Sequence, residues 1–443
     1  MKIKPAILAL IAVVSLVFRL YLTDKAWHVD MLSNAAWGEE VYGHGPKKFY
    51  DNNIWTYSWP TQLPLINSVY GANKNWHIEI LGRLAFTEHQ LNKLFPGEKV
   101  WWLSDFVHWF GYGKINDEIP FQIGYMVTMK LLPILADLGL AWLIWQITKK
   151  PIYGIIYLFS PFSWYVSSLW GQYDQLGVLL SFLAIWLVNK KTGWTAPALL
   201  MLAVLIKPTA IILIPYFGYL FFRTRRRKLP ELAVACILPL VIFWFTTAPY
   251  THKNPFEFAR YDLTRIVFEK AEPRVSVNSF NFWRIFIGNK AVNSTSRLAG
   301  LTWQIWGYLI FAGLNLWAIR NTERHKGEQT AVWAGVFLVS TGGWLFVTGM
   351  LERYLFAGIV SGLILAGLKP QLLKYWIVMS VIFWINLYYH WWVPNCFSLL
   401  KQLLQIQEDL FTRVLSGLNL LLFWLMVDRM HLLPRRKPES SQK

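Results

Sequence analysis

Residues 5–22 read PAILALIAVVSLVFRLYL, an apolar run of 18 residues in which Arg19 is the only charged side chain. A helix of about 20 apolar residues is long enough to cross the hydrocarbon core of a bilayer. Similar runs recur along the whole chain of 443 residues, of which 55% are apolar and only 15% charged. A soluble protein carries about a quarter charged residues. The sequence therefore predicts an all-α integral membrane protein.

The apolar runs predict about twelve transmembrane helices. They lie near residues 5–22, 121–147, 152–169, 175–188, 194–206, 209–222, 230–248, 302–319, 330–348, 354–368, 373–390 and 409–427. Lys207-Pro208 divides the fifth from the sixth, because a proline disfavours helix at the residue before it. Residues 1–433 are thus predicted to form one polytopic transmembrane domain, followed by a polar cytoplasmic tail over 434–443.

The net charge of +18 is concentrated in short connections such as RTRRRK, residues 223–228. These basic clusters fall at every second gap between apolar runs, which is the positive-inside pattern of a multi-pass membrane protein. The pattern predicts cytoplasmic termini and three outward-facing segments, 23–120, 249–301 and 391–408. The charge therefore indicates membrane topology, and the predicted location is the cell (plasma) membrane. The predicted partner is the lipid bilayer and not nucleic acid.

The outward segments are predicted to carry helices of their own. Apolar residues at helical spacing over 256–270, with basic residues between them, favour an amphipathic helix in the headgroup plane. Residues 31–42 predict a second short helix that ends at Gly43 and Gly45-Pro46.

Polar residues from distant parts of the chain are predicted to meet on the outer side of the membrane. In chain order they are Asp30, Gln172, Asp174, Lys207, Asn278, Glu352, Arg353 and Tyr354. Such convergence predicts a binding or catalytic site at that face.

Several of these residues also have structural explanations. Asp30 precedes a helix and could serve as its N-cap. Gln172 and Asp174 could cap the fourth predicted helix in the same way. Glu352 and Arg353 could form a local ion pair that holds a tight turn.

Other carboxylates are predicted to be structural. Asp137 lies in mid-span, where a charge is costly, and Lys130 lies two turns away on the same helix face. A structural pair or polar packing contact is therefore the favoured interpretation of Asp137. Glu39 and Glu40 are interpreted as a solvated helix face.

The polar stretches resemble the GT-C superfamily of polytopic glycosyltransferases, in particular bacterial mannosyltransferase-like members and the dolichyl-phosphate-glucose-dependent glucosyltransferases. The resemblance is carried by Asp30 with Trp37, Gly45-Pro46 with Phe49-Tyr50, Lys130 with Asp137, Trp170-Gly171-Gln172-Tyr173-Asp174, Lys207-Pro208, Asn278 with Asn281-Phe282-Trp283, and Met350-Leu351-Glu352-Arg353-Tyr354-Leu355. Two departures concern the substrate. Leu351 stands where the family often has histidine, and Tyr57-Ser58-Trp59-Pro60 stands in place of a Tyr-Pro-Pro stretch.

The resemblance implies an enzyme that transfers one hexose, mannose or glucose, from a polyprenyl-phosphate donor to a lipid-linked or polymeric glycan acceptor. It implies inversion at the anomeric carbon and an active site on the extracytoplasmic side. Such chemistry needs a carboxylate to take the proton of the acceptor hydroxyl and cations to hold the departing phosphate. Asp30 is predicted to be the catalytic base. The other seven polar residues are predicted to bind substrate.

Asp30, in HVDM, lacks the second acidic residue of an Asp-x-Asp pair. We therefore expect no divalent metal and no cofactor. Two further functions stay open at this point. A lipid-glycan flippase or transporter would be built from related halves or broken helices around a midplane site. A GT-C-type glycan ligase or polymerase would use a diphosphate-linked donor.

Overall fold

The computed structural model describes residues 4–23, 25–26, 28–49, 112–115, 119–226, 228–252, 254–260, 273–393 and 398–431. Within them the chain is nearly all-α. The α-helices are α1 (Pro5–Leu22), α2 (Val29–His44), α3 (Ile123–Thr148), α4 (Pro151–Phe159), α5 (Pro161–Trp164), α6 (Asp174–Leu187), α7 (Ala196–Ile206), α8 (Ile214–Arg225), α9 (Leu229–Thr247), α10 (Pro255–Phe258), α11 (Phe282–Ile287), α12 (Trp303–Arg324), α13 (Gln329–Phe346), α14 (Phe356–Leu368), α15 (Leu373–Trp391), α16 (Ser398–Ile406) and α17 (Glu408–His431).

Shorter elements connect these helices. A π-helical turn covers Tyr165–Trp170. The 3-10 turns are Pro46–Lys48, Gly193–Thr195, Pro208–Leu213, Ala248–Tyr250, Glu352–Leu355 and Pro370–Leu372. The strands are β1 (Tyr112–Ile115), β2 (Ile119–Gln122), β3 (Ser276–Val277), β4 (Arg297–Leu298), β5 (Leu301–Thr302) and β6 (Met350–Leu351). They pair as β1 with β2 and β4 with β5, both antiparallel, and β3 with β6, parallel.

Helical residues lie at all twelve predicted positions, and α1 has the predicted bounds 5–22. Five helical segments of the described residues are long and apolar enough to cross a membrane: Pro5–Leu22, Val127–Thr148, Leu229–Tyr250, Pro370–Trp391 and Glu408–Met430. The nearly all-α class is therefore confirmed, together with several helices suited to a bilayer. The number of twelve crossings stays a prediction.

The predicted loop features are described only in part. The helix predicted over 31–42 lies within α2, after which Gly45 takes a φ of 78°. Of the helix predicted over 256–270, the structure has α10 at Pro255–Phe258, and residues 261–272 lie outside the described part. Most of the predicted loop 23–120 and the tail 434–443 lie outside it as well.

The chain forms two compact units. Unit 1 comprises Met1–Leu143, Gly154–Ile211 and Leu220–Ala271, and unit 2 comprises Ile144–Tyr153, Ile212–Tyr219 and Glu272–Lys443. Within unit 1, α7 packs against both α6 and α9. Within unit 2, α12, α13, α14 and α15 pack in succession, and α17 packs against α15 and α11. Every residue of α13 from Ala331 to Phe346 is buried, which makes this helix central to unit 2.

A buried polar network fastens α1 to the rest of unit 1. Arg19 Nε lies 3.1 Å from Asp137 Oδ2, and the hydroxyl of Tyr157 donates to Asp137 Oδ1 at 2.5 Å. The guanidinium also donates to Ser163 Oγ at 2.9 Å. Asp137 thus forms a structural pair as predicted, but its partner is Arg19 of α1. Lys130, the partner suggested by helix spacing, donates to backbone carbonyls instead.

Candidate functional site

The predicted site residues form two groups, one in each unit. Asp30, Gln172, Asp174 and Lys207 lie in unit 1, whereas Asn278, Glu352, Arg353 and Tyr354 lie in unit 2. Each group is built by separate elements.

Asp30 lies in the first turn of α2, with its side chain 32% exposed. Its Oδ2 accepts hydrogen bonds from Gln172 Nε2 at 2.5 Å and from Trp170 Nε1 at 3.3 Å. The N-cap of α2 is His28, whose Nδ1 accepts from the Asp30 amide at 3.1 Å. The interpretation of Asp30 as N-cap is therefore wrong. Asp30 is a partly exposed carboxylate that two side-chain donors hold in one orientation.

Gln172 links Asp30 to a buried ion pair. Its Oε1 accepts from Lys207 Nζ at 3.2 Å, and the same ammonium lies 3.1 Å from Asp174 Oδ2. The N-cap residue of α6 is Tyr173, with no side-chain cap hydrogen bond, so the capping interpretation of Gln172 and Asp174 is wrong. Four residues that lie up to 177 positions apart are thus joined by direct contacts.

Two backbone features bring Lys207 to Asp174. α7 ends at Ile206, and Lys207 has extended backbone angles before the 3-10 turn that starts at Pro208. Its Cβ passes close to Gly177 of α6, where an added Cβ would lie only 2.9 Å away. Asp174 and Gly177 are three residues apart and so lie on one helix face. The lysine can therefore reach the carboxylate because position 177 has no side chain.

The π-helical turn sets the positions of Trp170 and Gln172. It ends at Gly171, whose φ of 80° favours glycine, and the amides of residues 171 and 172 both donate to Val166 O at 3.0 Å. A Cβ at Gly171 would overlap with Met31 Sδ and lie 3.1 Å from Lys130 Cγ. Glycine is therefore required here by conformation and by space. Single π-helical turns occur frequently at functional sites.

Lys130 holds together the two segments that carry the group. Its buried ammonium donates at 2.8 Å to the carbonyls of Thr23, Ala26 and Leu169. The first two carbonyls precede α2 and the third lies in the π-helical turn. Lys130 therefore positions Asp30 relative to Trp170. It does so through backbone carbonyls, since none of these three bonds goes to the Asp30 carboxylate or the Trp170 indole.

His28 and Trp170 are functional candidates that sequence reasoning did not single out as site residues. Their ring centroids lie 4.5 Å apart, and His28 Nδ1 lies 3.4 Å from Asp30 Oδ2. In the sequence, Trp170 could have been found from its position beside Gly171-Gln172. His28 could have been found only from its position two residues before Asp30. Glu39 and Glu40 also belong to α2, but their side chains lie outside the described part.

In unit 2, Glu352 and Arg353 open a 3-10 turn. Arg353 NH1 donates to Glu352 Oε1 at 3.0 Å, so the interpretation as a local ion pair is confirmed. The guanidinium also lies 5.5 Å from the ring centroid of Tyr354. Glu352 is completely buried, and its Oε2 has no hydrogen-bond partner among the residues that the structure describes. A buried acceptor that lacks a donor is unfavourable, so this oxygen has unused capacity for a hydrogen bond.

Asn278 approaches Glu352 because β3 pairs with β6, which sets Val277 beside Leu351. Asn278 has a φ of 51°, and its carbonyl accepts from Asn386 Nδ2 at 2.5 Å. Its side-chain amide lies 2.7 Å from His390 Nδ1, which is 3.9 Å from Glu352 Oε2. His390 thus stands between two predicted site residues. His390 is thus a candidate site residue. The sequence did not indicate it, because it shows only a single histidine at the end of an apolar run.

The described residues include no group of three or more His, Cys, Asp or Glu side chains that could hold a metal ion. The expectation of a metal-free enzyme stays a prediction.

Comparison with known proteins adds no family assignment, since no protein-family model and no curated protein matches the chain. The resemblance to GT-C enzymes therefore rests on the sequence motifs alone.

Proposed function

We propose that this protein is an integral-membrane glycosyltransferase that moves one hexose from a polyprenyl-phosphate donor to a glycan or glycolipid acceptor at the extracytoplasmic face. The observation that carries the proposal is the contact series Asp30–Gln172–Lys207–Asp174 in unit 1. Its members come from three separate stretches of the sequence, and each has a polar or charged side chain. A carboxylate and a cation connected through one amide suit a reaction in which an alcohol attacks and a phosphate leaves.

Asp30 is the proposed base. An acceptor hydroxyl that hydrogen-bonds to its carboxylate loses the proton as oxygen attacks the anomeric carbon. Gln172 and Trp170 hold Oδ2, which limits rotation of the carboxylate and keeps it aimed in one direction. Its partial exposure leaves it open to a substrate. A positioned general base contributes about 10²–10⁴-fold to rate.

Lys207 of unit 1 is the proposed cation for the donor phosphate, and Arg353 of unit 2 is a second candidate for the same role. Each is already paired with a carboxylate, Lys207 with Asp174 and Arg353 with Glu352. A phosphate that binds either cation must share this cation with its carboxylate. The phosphate is therefore proposed to bind without breaking the ion pair. The buried pairs fix the cations in advance, and such preorganisation increases electrostatic stabilisation of developing charge.

The acceptor atoms near Arg353 suit the sugar part of a donor. Glu352 Oε2 has no hydrogen-bond donor in the described part of the chain, and His390, which contacts Asn278, lies 3.9 Å from it. Carboxylate, amide and imidazole groups accept and donate the hydrogen bonds that sugar hydroxyls need. The group in unit 2 is therefore proposed to contact sugar hydroxyls, with the Tyr354 ring beside the Arg353 guanidinium.

The function is tested by reconstituting the full chain into liposomes and adding radiolabelled polyprenyl-phosphate mannose or glucose. Membranes from cells that lack the gene supply the acceptor. We expect the label to enter the acceptor fraction while free polyprenyl phosphate is released. The matched control variant is Asp428→Asn, which changes an exposed carboxylate on α17.

Three results would contradict the proposal. Transfer from a diphosphate-linked donor alone would indicate a ligase or polymerase. Movement of intact labelled donor across the bilayer without transfer would indicate a flippase. Failure of the chain to bind either monophosphate donor would remove this donor class altogether.

A further inference from the structure

α16 has an exposed apolar stripe. Leu399, Leu403 and Ile406 are 69%, 46% and 74% exposed. Their spacing of four and three residues sets all three on one face of the helix. A solvent-facing helix normally shows polar side chains at such positions, so this stripe needs a cover.

The remaining positions of α16 show which sides are already occupied. Leu404, on a neighbouring face, is buried within unit 2, and Leu400 beside it is half-buried. Successive residues of a helix are rotated by about 100°. Lys401 and Gln405 therefore lie on the side of α16 that faces away from the exposed apolar stripe. The helix therefore has three sides. One packs on the protein, one is polar, and one is apolar and exposed.

Chain continuity fixes the depth of α16 relative to the candidate membrane spans. The span that contains α15 ends at Trp391, and the span that contains α17 starts at Glu408, two residues after α16 ends. α16 must therefore lie where these two helices meet the membrane surface. The ammonium of Lys401 lies 5.7 Å from the ring centroid of Trp392. Tryptophan and lysine are both favoured at that boundary.

We propose that α16 lies in the plane of the bilayer surface and inserts its exposed stripe, Leu399, Leu403 and Ile406, among the lipid acyl chains. A helix with separate apolar and polar faces binds a membrane in this orientation. A second copy of the chain is a poorer cover. Three aliphatic side chains offer at most roughly 350 Å², below the about 800 Å² per partner of a stable interface.

This location also sets the depth of the group in unit 2. His390 lies in the last turn of α15, two residues before Trp392, and contacts Asn278. A surface helix that follows this turn sets these residues near the headgroups, where the phosphate of a lipid-linked ligand lies. The lipid contact of α16 itself does not depend on the proposed enzymatic function.

The proposal is tested by spin-label accessibility in the full chain, reconstituted into phosphatidylcholine and phosphatidylglycerol liposomes with Cys236→Ser and Cys396→Ser as background. Labels are attached in turn through Leu399→Cys, Leu403→Cys and Ile406→Cys. Gln405→Cys is the matched control on the polar side. We expect oxygen, which concentrates in the acyl region, to relax the three stripe labels several-fold more than a water-soluble nickel chelate does. The control label should show the opposite preference.

Two results would overturn the proposal. Stripe labels that the nickel chelate reaches as readily as the control label would mean that α16 stands in water. Stripe labels shielded from both reagents and broadened by spin–spin coupling would mean that a second copy covers this face. Three independent positions keep the test decisive if one variant fails to fold.

Discussion

Gly171→Ala is expected to damage the Asp30 group through the smallest possible change. Gly171 has a φ of 80°, and a Cβ there would overlap with Met31 Sδ and crowd Lys130 Cγ at 3.1 Å. A left-handed backbone costs an alanine about 1–2 kcal/mol. Overpacking in a filled site costs roughly 1–3 kcal/mol more.

These terms are partly offset, because alanine lowers the entropy of the unfolded chain by about 0.4–1 kcal/mol. The net expectation for Gly171→Ala is a loss of roughly 1–5 kcal/mol. The matched control is Gly43→Ala in α2, where an added Cβ meets nothing within 4 Å. That change should be neutral or stabilise by up to about 1 kcal/mol.

The assay is thermal unfolding of both variants in the same detergent, followed by tryptophan fluorescence, together with sugar transfer in liposomes. Gly171→Ala should lower the midpoint by a few degrees and reduce transfer, since Trp170 and Gln172 both shift with residue 171. Gly43→Ala should leave both readouts near wild type. Equal midpoints and equal transfer in the two variants would refute the packing argument at Gly171.

Three further predictions concern charged pairs. Lys207→Met should destabilise the chain by roughly 3–5 kcal/mol because buried Asp174 loses its counter-ion. Adding Asp174→Asn should restore stability but not affinity for polyprenyl-phosphate mannose or glucose. Recovery of both would make Lys207 purely structural. Arg353→Lys keeps the charge but loses the planar fork, so donor affinity should fall about tenfold in a binding titration; unchanged affinity would exclude a phosphate contact. Arg19→Met should cost roughly 3–5 kcal/mol, and adding Asp137→Leu should recover most of it; a double variant as unstable as the single one would show that the pair is not the source.

The helices could be predicted from the sequence because an apolar run of membrane length seldom forms any structure other than a helix. What the runs did not reveal is where a helix is interrupted. The predicted span 152–169 is divided at Ser160, where the backbone is extended before Pro161, and then changes to a π-helical turn. Such interruptions depend on contacts elsewhere in the unit, as Gly171 against Met31 illustrates.

The candidate site was predicted in part, for a comparable reason. Residue type and position along the chain were enough to select Asp30, Gln172 and Lys207, whose contacts the structure now shows. Spacing within one helix suggested Lys130 as the partner of Asp137, but the true partner, Arg19, is 118 residues away. Backbone carbonyls, which Lys130 uses, carry no sequence signal at all.

The central claim, that Asp30 is the base of a sugar transfer, is tested most directly by the transfer rate of Asp30→Asn. The amide oxygen can still accept from Gln172 and Trp170, but it cannot take a proton. We predict that transfer from the polyprenyl-phosphate donor falls by roughly two to four orders of magnitude, with donor affinity and thermal midpoint close to wild type and Asp428→Asn fully active. An Asp30→Asn enzyme that transfers sugar at a near-normal rate would contradict the account.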